Sequence, residues 1–525
     1  MIPDTTPARS LRCSTVELLA LGSLLLVLVI LILHRLGSGP CDVSGGNAVT
    51  RFVRGSFCGA DICGTNEAIE GVFVQDMVER GHFLFPVGHG GEPMYKPPLF
   101  HWTAFAIDRL FGLRKVTAFN LRIPSTIYAA AGGILVMAFA LLRFGPGVAL
   151  LAGLILAGSF QYAELARIGR VDMTLTFFEA LALFAFLGWL PARGHTPSSR
   201  IAGMRYLFAI ALGCAVLAKG PVGMLLPCIA IAIVLILERR LTEEWHHFIP
   251  GPALVAIAIA SSWYLACFVG GRYGYLDRQI GSENFGRFFG VLGSMPPWYY
   301  LKPLLLNSGP LSLIAPVAIV SALRLRRPPE ADPELDEAER RRDALRVMAV
   351  FWLVTVVFFS LAAYKRRAYL LPLWPVSAVI MGWWLESLGR SLGARFTRAA
   401  FAMTCACLVI FNFVYLPLHA LHACGDETCR PAALAIDHAV GPHEPLFIYG
   451  FRGPLAPLVF YLDRDVRPIN GRLGDAPPGY VIVPASAWAQ YRHRAPGLTP
   501  VLIAPYGRLG LILLSHGRFY AMSQK

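Results

Sequence analysis

Charge is what this chain has least of. Only 15% of its 525 residues are Asp, Glu, Lys or Arg, against about 25% in soluble domains. Hydrophobic residues make up 55%. That excludes a set of water-soluble domains for most of the length, and it excludes a disordered chain, which is poor in apolar residues. Acid is scarcer than base: 33 Asp+Glu stand against 47 Lys+Arg, a formal net charge of +14. The sequence also lacks a glycine-rich nucleotide loop, a CxxC zinc spacing and any internal repeat. An apolar chain with an excess of positive charge is what has to be explained.

Long apolar runs are abundant. A membrane helix needs about 20 mostly apolar residues, and eleven stretches qualify: 16–35, 123–142, 146–163, 172–190, 204–218, 221–237, 249–269, 303–323, 347–363, 368–387 and 399–417. The first follows Arg9 and Arg12, is long for a signal peptide, and is read as a retained anchor. The expected fold is a polytopic α-helical membrane protein of about 11 spans (11–13). It carries external amphipathic helices in its first loop and a small C-terminal α/β domain. The expected division is 1–417 for the membrane domain, including the first external loop 36–122, and 418–525 for the outer domain.

With the N-terminus in the cytoplasm, alternate loops carry Arg143; Arg193 and Arg200; Arg239 and Arg240; Arg324, Arg326, Arg327, Arg340, Arg341, Arg342 and Arg346; and Arg390, Arg395 and Arg398. That is the positive-inside bias of an inner-membrane protein. It puts the C-terminus in the periplasm. It also accounts for much of the net charge without nucleic acid, since these arginines are scattered between spans. Cys58 with Cys63 and Cys424 with Cys429 fall on the outer side, where disulfides persist. Two local bridges and unpaired thiols remain equal readings.

After Leu418 short runs alternate with turn residues. PLFIYGF (445–451), PLVFYLD (457–463), YVIVPA (480–485), VLIAPY (501–506) and LGLILLSH (509–516) read as strands, and 431–440 and 486–494 as helices. The domain shows no nucleophile or metal constellation, so a structural or acceptor-binding role is expected.

The chemistry-bearing residues lie in the outer segments. Glu67 and Glu70, on a helix expected to run from Asn66 to about Glu79, share a face. They suit a general base or a divalent cation, or equally the dipole of a first helical turn. Lys96, after Tyr95 and before Pro97-Pro98, is a rigid cation held before a helix; His101 and Trp102 follow. It suits phosphate, or an interfacial aromatic belt. Asp172 sits at a span edge behind Arg167 and Arg170; an ionisable residue there is costly, and catalysis competes with a structural Asp–Arg pair. Glu179, two turns deeper, reads as polar glue between helices. Lys219 precedes Gly220-Pro221. The loop before 303 holds Glu283, Asn284, Arg287 and Tyr299. Lys365, Arg366 and Arg367, near Tyr369, form a cation cluster on the side where the positive-inside rule asks for few. Lys96, Lys219, Lys365 and Arg366 together point to a lipid-borne phosphate.

The segments NEAIEGVFVQDM, GHFLFP, GEPMYKPPLFHW, ARIGRVD, LAKGP, ENFGRF, PPWYYL and YKRRAYLLPLWP, in this order over about residues 16–390, carry a resemblance. The chain resembles the polytopic GT-C membrane glycosyltransferases, on the branch of the bacterial lipid A aminoarabinose transferases and the protein O-mannosyltransferases. The resemblance implies a polyprenyl-phosphate sugar donor and a lipid, glycan or protein acceptor. It also implies inversion, and a divalent cation (Mg, Mn or Zn) at Glu67 and Asp172. Glu67 and Asp172 match the family's acidic positions; the four cations match or neighbour its phosphate region. The branch usually has Asp-Glu where this chain has Asn66-Glu67, and an amide is no base, so Glu67, Glu70 and Asp172 are the catalytic candidates. The groove candidates are Tyr95, His101, Trp102, Arg170, Glu283, Arg287, Tyr299 and Tyr369. Membrane lipids are expected partners, and a monomer the expected state. A non-catalytic lipid or polysaccharide transporter is the rival, but transporters place ionisable residues near the midplane and show repeats. A membrane scaffold is the third reading.

Overall fold

A computed structural model describes residues 22, 62, 65–88, 91–193, 203–291, 293–306, 312–326, 333–410, 414, 429–441, 444–450, 456–462, 464–469, 471–504 and 510–516. The first expected span, 16–35, lies outside these apart from Gly22. So do Cys58, Cys63 and Cys424, and with them both expected cysteine pairs.

The chain forms two compact units. One comprises Met1–His34, Tyr95–Phe100 and Pro124–Tyr415; the other comprises Arg35–Met94, His101–Ile123 and Leu416–Lys525. The first unit is helical. All ten apolar stretches from residue 123 onward coincide with helix over some or all of their length. Among the described residues, four helices are long and apolar enough to cross a membrane: Ala118–Phe144, Val171–Trp189, Gly251–Val269 and Asp336–Leu361. Val222–Leu237 bends by 120° into Leu241–His247 and adds a fifth if the pair is one span. The stretch 146–163 breaks at Ser159 into Pro146–Gly158 and Phe160–Leu165.

Small residues set how closely these helices approach, as expected where lipid offers no hydrophobic drive to association. A Cβ at Gly213 would lie 2.6 Å from Ile259 of Gly251–Val269, and one at Gly223 would lie 2.6 Å from the Ala215 carbonyl. Gly382 on helix Leu373–Leu392 admits the backbone of Val148 and Ala152. A continuous apolar core follows, with Phe351, Leu370, Val376 and Ile380 fully buried.

Several loop arginines are held in buried ion-pair networks. Arg240 is buried and donates to Asp343 (3.0 Å), Glu244 (2.6 Å) and the Pro191 carbonyl (2.8 Å). Arg342 joins Glu238 (2.6 Å) and Asp343 (2.9 Å), and Arg346 also pairs with Glu238.

The second unit holds a five-stranded sheet in the order β2-β1-β3-β5-β4: β1 Leu446–Ile448, β2 Val466–Pro468, β3 Tyr480–Pro484, β4 Leu498–Ala504 and β5 Leu511–His516. β1 is parallel to β2 and β3; β5 is antiparallel to β3 and β4. Alternate residues of β3 enter two different cores, Tyr480 and Ile482 on one face, Val481 and Val483 on the other. That is why YVIVP reads as an unbroken apolar run.

Three expectations change here. In the expected strand 457–463, the described residues 457–462 are helix (Ala456–Leu462). Parallel strands β1 and β2 need a crossover, and a helix supplies it; Leu458 and Leu462, one turn apart, enter the sheet core. β2 was unread, because it is a three-residue edge holding Arg467 and Pro468. Helix Thr65–Glu79 is not amphipathic: eleven of its residues, Glu67 among them, are buried. It packs on Ala456–Leu462, with Gly71 facing the Phe460 ring and Gln75 Nε2 donating to the Phe460 carbonyl (2.9 Å). Most of the first loop falls in the same unit as the tail, whereas its Tyr95–Phe100 segment falls in the helical unit. Helix Leu99–Leu110 does have one buried face, through Phe100, Ala104 and Ile107.

Candidate active site

In the first unit a cavity of about 330 Å³ has two kinds of wall. One is charged: Lys96, Lys219, Glu283 and Arg287, with Tyr364 and Tyr369. The other is apolar and includes Val222, Leu225, Phe288, Phe289 and Phe358. Pockets of this size with a few convergent polar groups are the usual form of a ligand site.

The charged wall is built locally. Pro97 and Pro98 hold Lys96 ahead of helix Leu99–Leu110, as the sequence predicts. Lys219 also stands just before a helix start, that of Val222–Leu237, and is itself the last residue of helix Gly203–Lys219. Gly220 takes φ +102° there, a conformation other residues rarely adopt, and the chain turns directly into Val222–Leu237. Glu283 and Arg287 come from a π-helical segment, Asp277–Gly286, and its continuation Arg287–Phe289.

Two ion-pair systems meet in this wall. Glu283 accepts from Lys96 Nζ (2.7 Å) and Arg287 Nη2 (2.8 Å). Asp172 pairs with Lys219, and Arg170 Nη2 lies 2.8 Å from its other oxygen at an angle that makes an ion pair without a hydrogen bond. Tyr369 joins the systems: its hydroxyl accepts from Arg287 Nη1 (3.1 Å), and Lys219 Nζ lies 4.7 Å from its ring centre. Lys96 also stands 5.2 Å from the Tyr95 ring centre. Burial lowers Lys96 to about 8; Arg287 and Lys219 push the same way and Glu283 opposes them. Burial would raise Glu283, but Lys96 and Arg287 outweigh it and hold the carboxylate below its ordinary range.

Other predicted residues are placed elsewhere. Lys365 is buried and donates to the carbonyls of Met295 (3.0 Å) and Ala362, so it ties a loop down and does not line the cavity. Arg366 donates to the Tyr364 hydroxyl (3.3 Å) and sits over that ring, also outside the lining. Tyr299 packs edge-on against Tyr300. Glu67, Glu70, His101 and Trp102 belong to the second unit. There Glu67 accepts from Arg122 Nε (2.7 Å) and Nη2 (3.0 Å), Glu70 meets His101 Nε2 (2.8 Å), and Trp102 stacks on Phe83. Sequence reasoning missed Tyr364 and the apolar wall. Tyr364 lay inside the cation cluster, and the spacing of Phe285, Phe288 and Phe289 was the available signal.

A family model described as dolichyl-phosphate-mannose-protein mannosyltransferase matches residues 95–264. An uncharacterised protein of Aquifex aeolicus is 26% identical over 323 residues, 61% of this chain and 59% of that protein. The undecaprenyl phosphate-alpha-4-amino-4-deoxy-L-arabinose arabinosyl transferase of Pectobacterium carotovorum is 26% identical over 328 residues, 62% of this chain. The match spans 55% of that relative's length. The structure of ArnT from Cupriavidus metallidurans bound to undecaprenyl phosphate superposes with a TM-score of 0.72, over 95% of this chain and 98% of that one, at 17% identity. The archaeal oligosaccharyltransferase AglB of Archaeoglobus fulgidus follows at 0.52, covering 90% and 70% at 13% identity. The chain shares their fold.

Proposed function

We propose that this chain is a GT-C glycosyltransferase, a reading supported by the family model and the relatives it resembles, and that it transfers a sugar from a polyprenyl-phosphate donor to a lipid, glycan or protein acceptor. In this reading it spans the inner membrane about eleven times, with the N-terminus cytoplasmic, and works on the periplasmic face, where 418–525 contributes an α/β domain. The observation that carries it is the cavity with a cationic wall and an apolar wall. A polyprenyl phosphate needs both, one for its headgroup and one for its isoprenoid chain. Lys96, Lys219 and Arg287 are the donor's phosphate ligands; Lys365 and Arg366 support the loops around it.

The step is a single displacement with inversion. The acceptor oxygen bonds to the anomeric carbon while the anomeric C–O bond breaks, and the bonding pair leaves with the phosphate. Fixed cations stabilise that departing charge. The acceptor's proton passes to a carboxylate. Asp172, paired with Lys219 and Arg170, positions the Lys219 ammonium. A divalent cation fits poorly. Glu67 and Asp172 already balance Arg122, Lys219 and Arg170, and among the described residues no group of three His, Cys, Asp or Glu side chains gathers to hold one.

The test is transfer by purified protein from a labelled polyprenyl-phosphate sugar, with the acceptor found by mass spectrometry of envelope lipids, glycans and proteins in a deletion strain. Lys96→Ala is expected to lower turnover by about 10²-fold. Full turnover in K96A, or an unchanged envelope in the deletion strain, removes the proposal.

A further inference from the structure

We propose that Glu283 is a displaceable occupant of the phosphate site: its carboxylate holds Lys96 and Arg287 until a donor phosphate takes both cations, and the Asp277–Gly286 segment carries it aside. This rests on the cavity being the donor phosphate site. Glu283 is not a bystander there. It faces the cavity and bridges two cations that come from different parts of the chain, at 2.7 and 2.8 Å. Asp172 already balances Lys219 and Arg170. Lys96 and Arg287 are thus the cations an incoming anion must recruit, and Glu283 holds both.

A phosphate anion cannot share that position with a carboxylate, because like charges in a site of low polarity repel strongly. The carboxylate has a use while the site waits: two buried cations without a counter-charge are costly, and Glu283 supplies one. Arg287 has more to give a phosphate than it gives now, since its Nε is buried without an acceptor. A guanidinium fork matches phosphate oxygens better than a single carboxylate uses it.

The backbone under Glu283 is built to yield. Ten residues of π-helix are unusual, as such helices are mostly single turns at functional places. The segment contains Gly281 and Gly286. The amide of Asn284 donates to the Gln279 carbonyl (2.7 Å), and both side-chain polar atoms of Gln279 are buried without a partner. A rearranged turn has bonds to gain as well as to lose.

Binding of undecaprenyl phosphate to the full chain in detergent, at a pH of about 6.5 so that Lys96 keeps its proton, tests this. Glu283→Gln is expected to bind about tenfold more tightly than wild type, a gain that a merely structural residue would not produce. Amide hydrogen exchange across 277–286 in the wild type is expected to speed up when the lipid is added. E283Q affinity equal to or below wild type in a folded variant overturns displacement, as does unchanged exchange in lipid-saturated wild type. Absence of lipid binding by wild type and E283Q alike overturns the donor-site reading itself, and displacement with it.

Discussion

Lys96 shows how a single residue's surroundings set its chemistry. Its ammonium is buried beside Glu283, with Arg287 and Lys219 as the other charges facing it, and its proton is lost near pH 8 instead of near 10.5. Below that point it is a cation that can hold phosphate; above it the charge is gone. The kcat/KM for donor, which reports free-enzyme ionisations, is therefore expected to fall as pH rises through about 8, and a profile flat to pH 10 would contradict it. Asp172→Asn offers a second check. It leaves Lys219 buried without its counter-ion, a loss of about 3–5 kcal/mol. A bound phosphate replaces that charge, so undecaprenyl phosphate should raise the melting temperature more in D172N than in wild type. Lys96 was readable from Lys-Pro-Pro because the constraint is local. Lys365 was not, because the Met295 carbonyl it binds lies 70 residues away in sequence.

Among the elements, the helix at 456–462 teaches most. PLVFYLD has the composition of a strand, and only the parallel pairing of β1 with β2 demands a crossover helix there. Its Phe460 ring then lies against Gly71, where a Cβ would come within 2.6 Å. Gly71→Val should destabilise the second unit by about 1–3 kcal/mol through overpacking, read as a lower unfolding midpoint of the purified protein; no shift would argue against this packing. Arg240 belongs to the same scale. The sequence marks it as a topological charge, whereas the structure buries it among Asp343, Glu244 and the Pro191 carbonyl. Arg240→Ala strands Glu244 and leaves Asp343 with Arg342 alone, and is expected to cost about 3–5 kcal/mol. Arg326, in a neighbouring loop, provides the comparison, with an expected change within about 0.5 kcal/mol for R326A.

For the whole molecule, the two charge populations predict an orientation. A reporter that folds only outside the cytoplasm should be active when fused after Lys525 and inactive when inserted after Arg326; the reverse pattern would invert the topology.

The apolar stretches that form helices were legible in the sequence, and an orientation can be proposed from its arginines, because partition into lipid and the positive-inside bias act on runs of residues one at a time. The rigid placement of Lys96 and the two-faced burial of β3 were legible for the same reason. Tertiary structure alone decided which cations share a wall. Lys96, Lys219, Glu283 and Arg287 span nearly 200 positions, and no local rule separates the cations that face a cavity from Lys365, which caps carbonyls. It also decided that helix Thr65–Glu79 packs with the tail, since that depends on Gly71 meeting Phe460 across the chain. The excess positive charge thus has three destinations: loops between the apolar helices, buried networks that brace them, and a smaller set paired around a carboxylate.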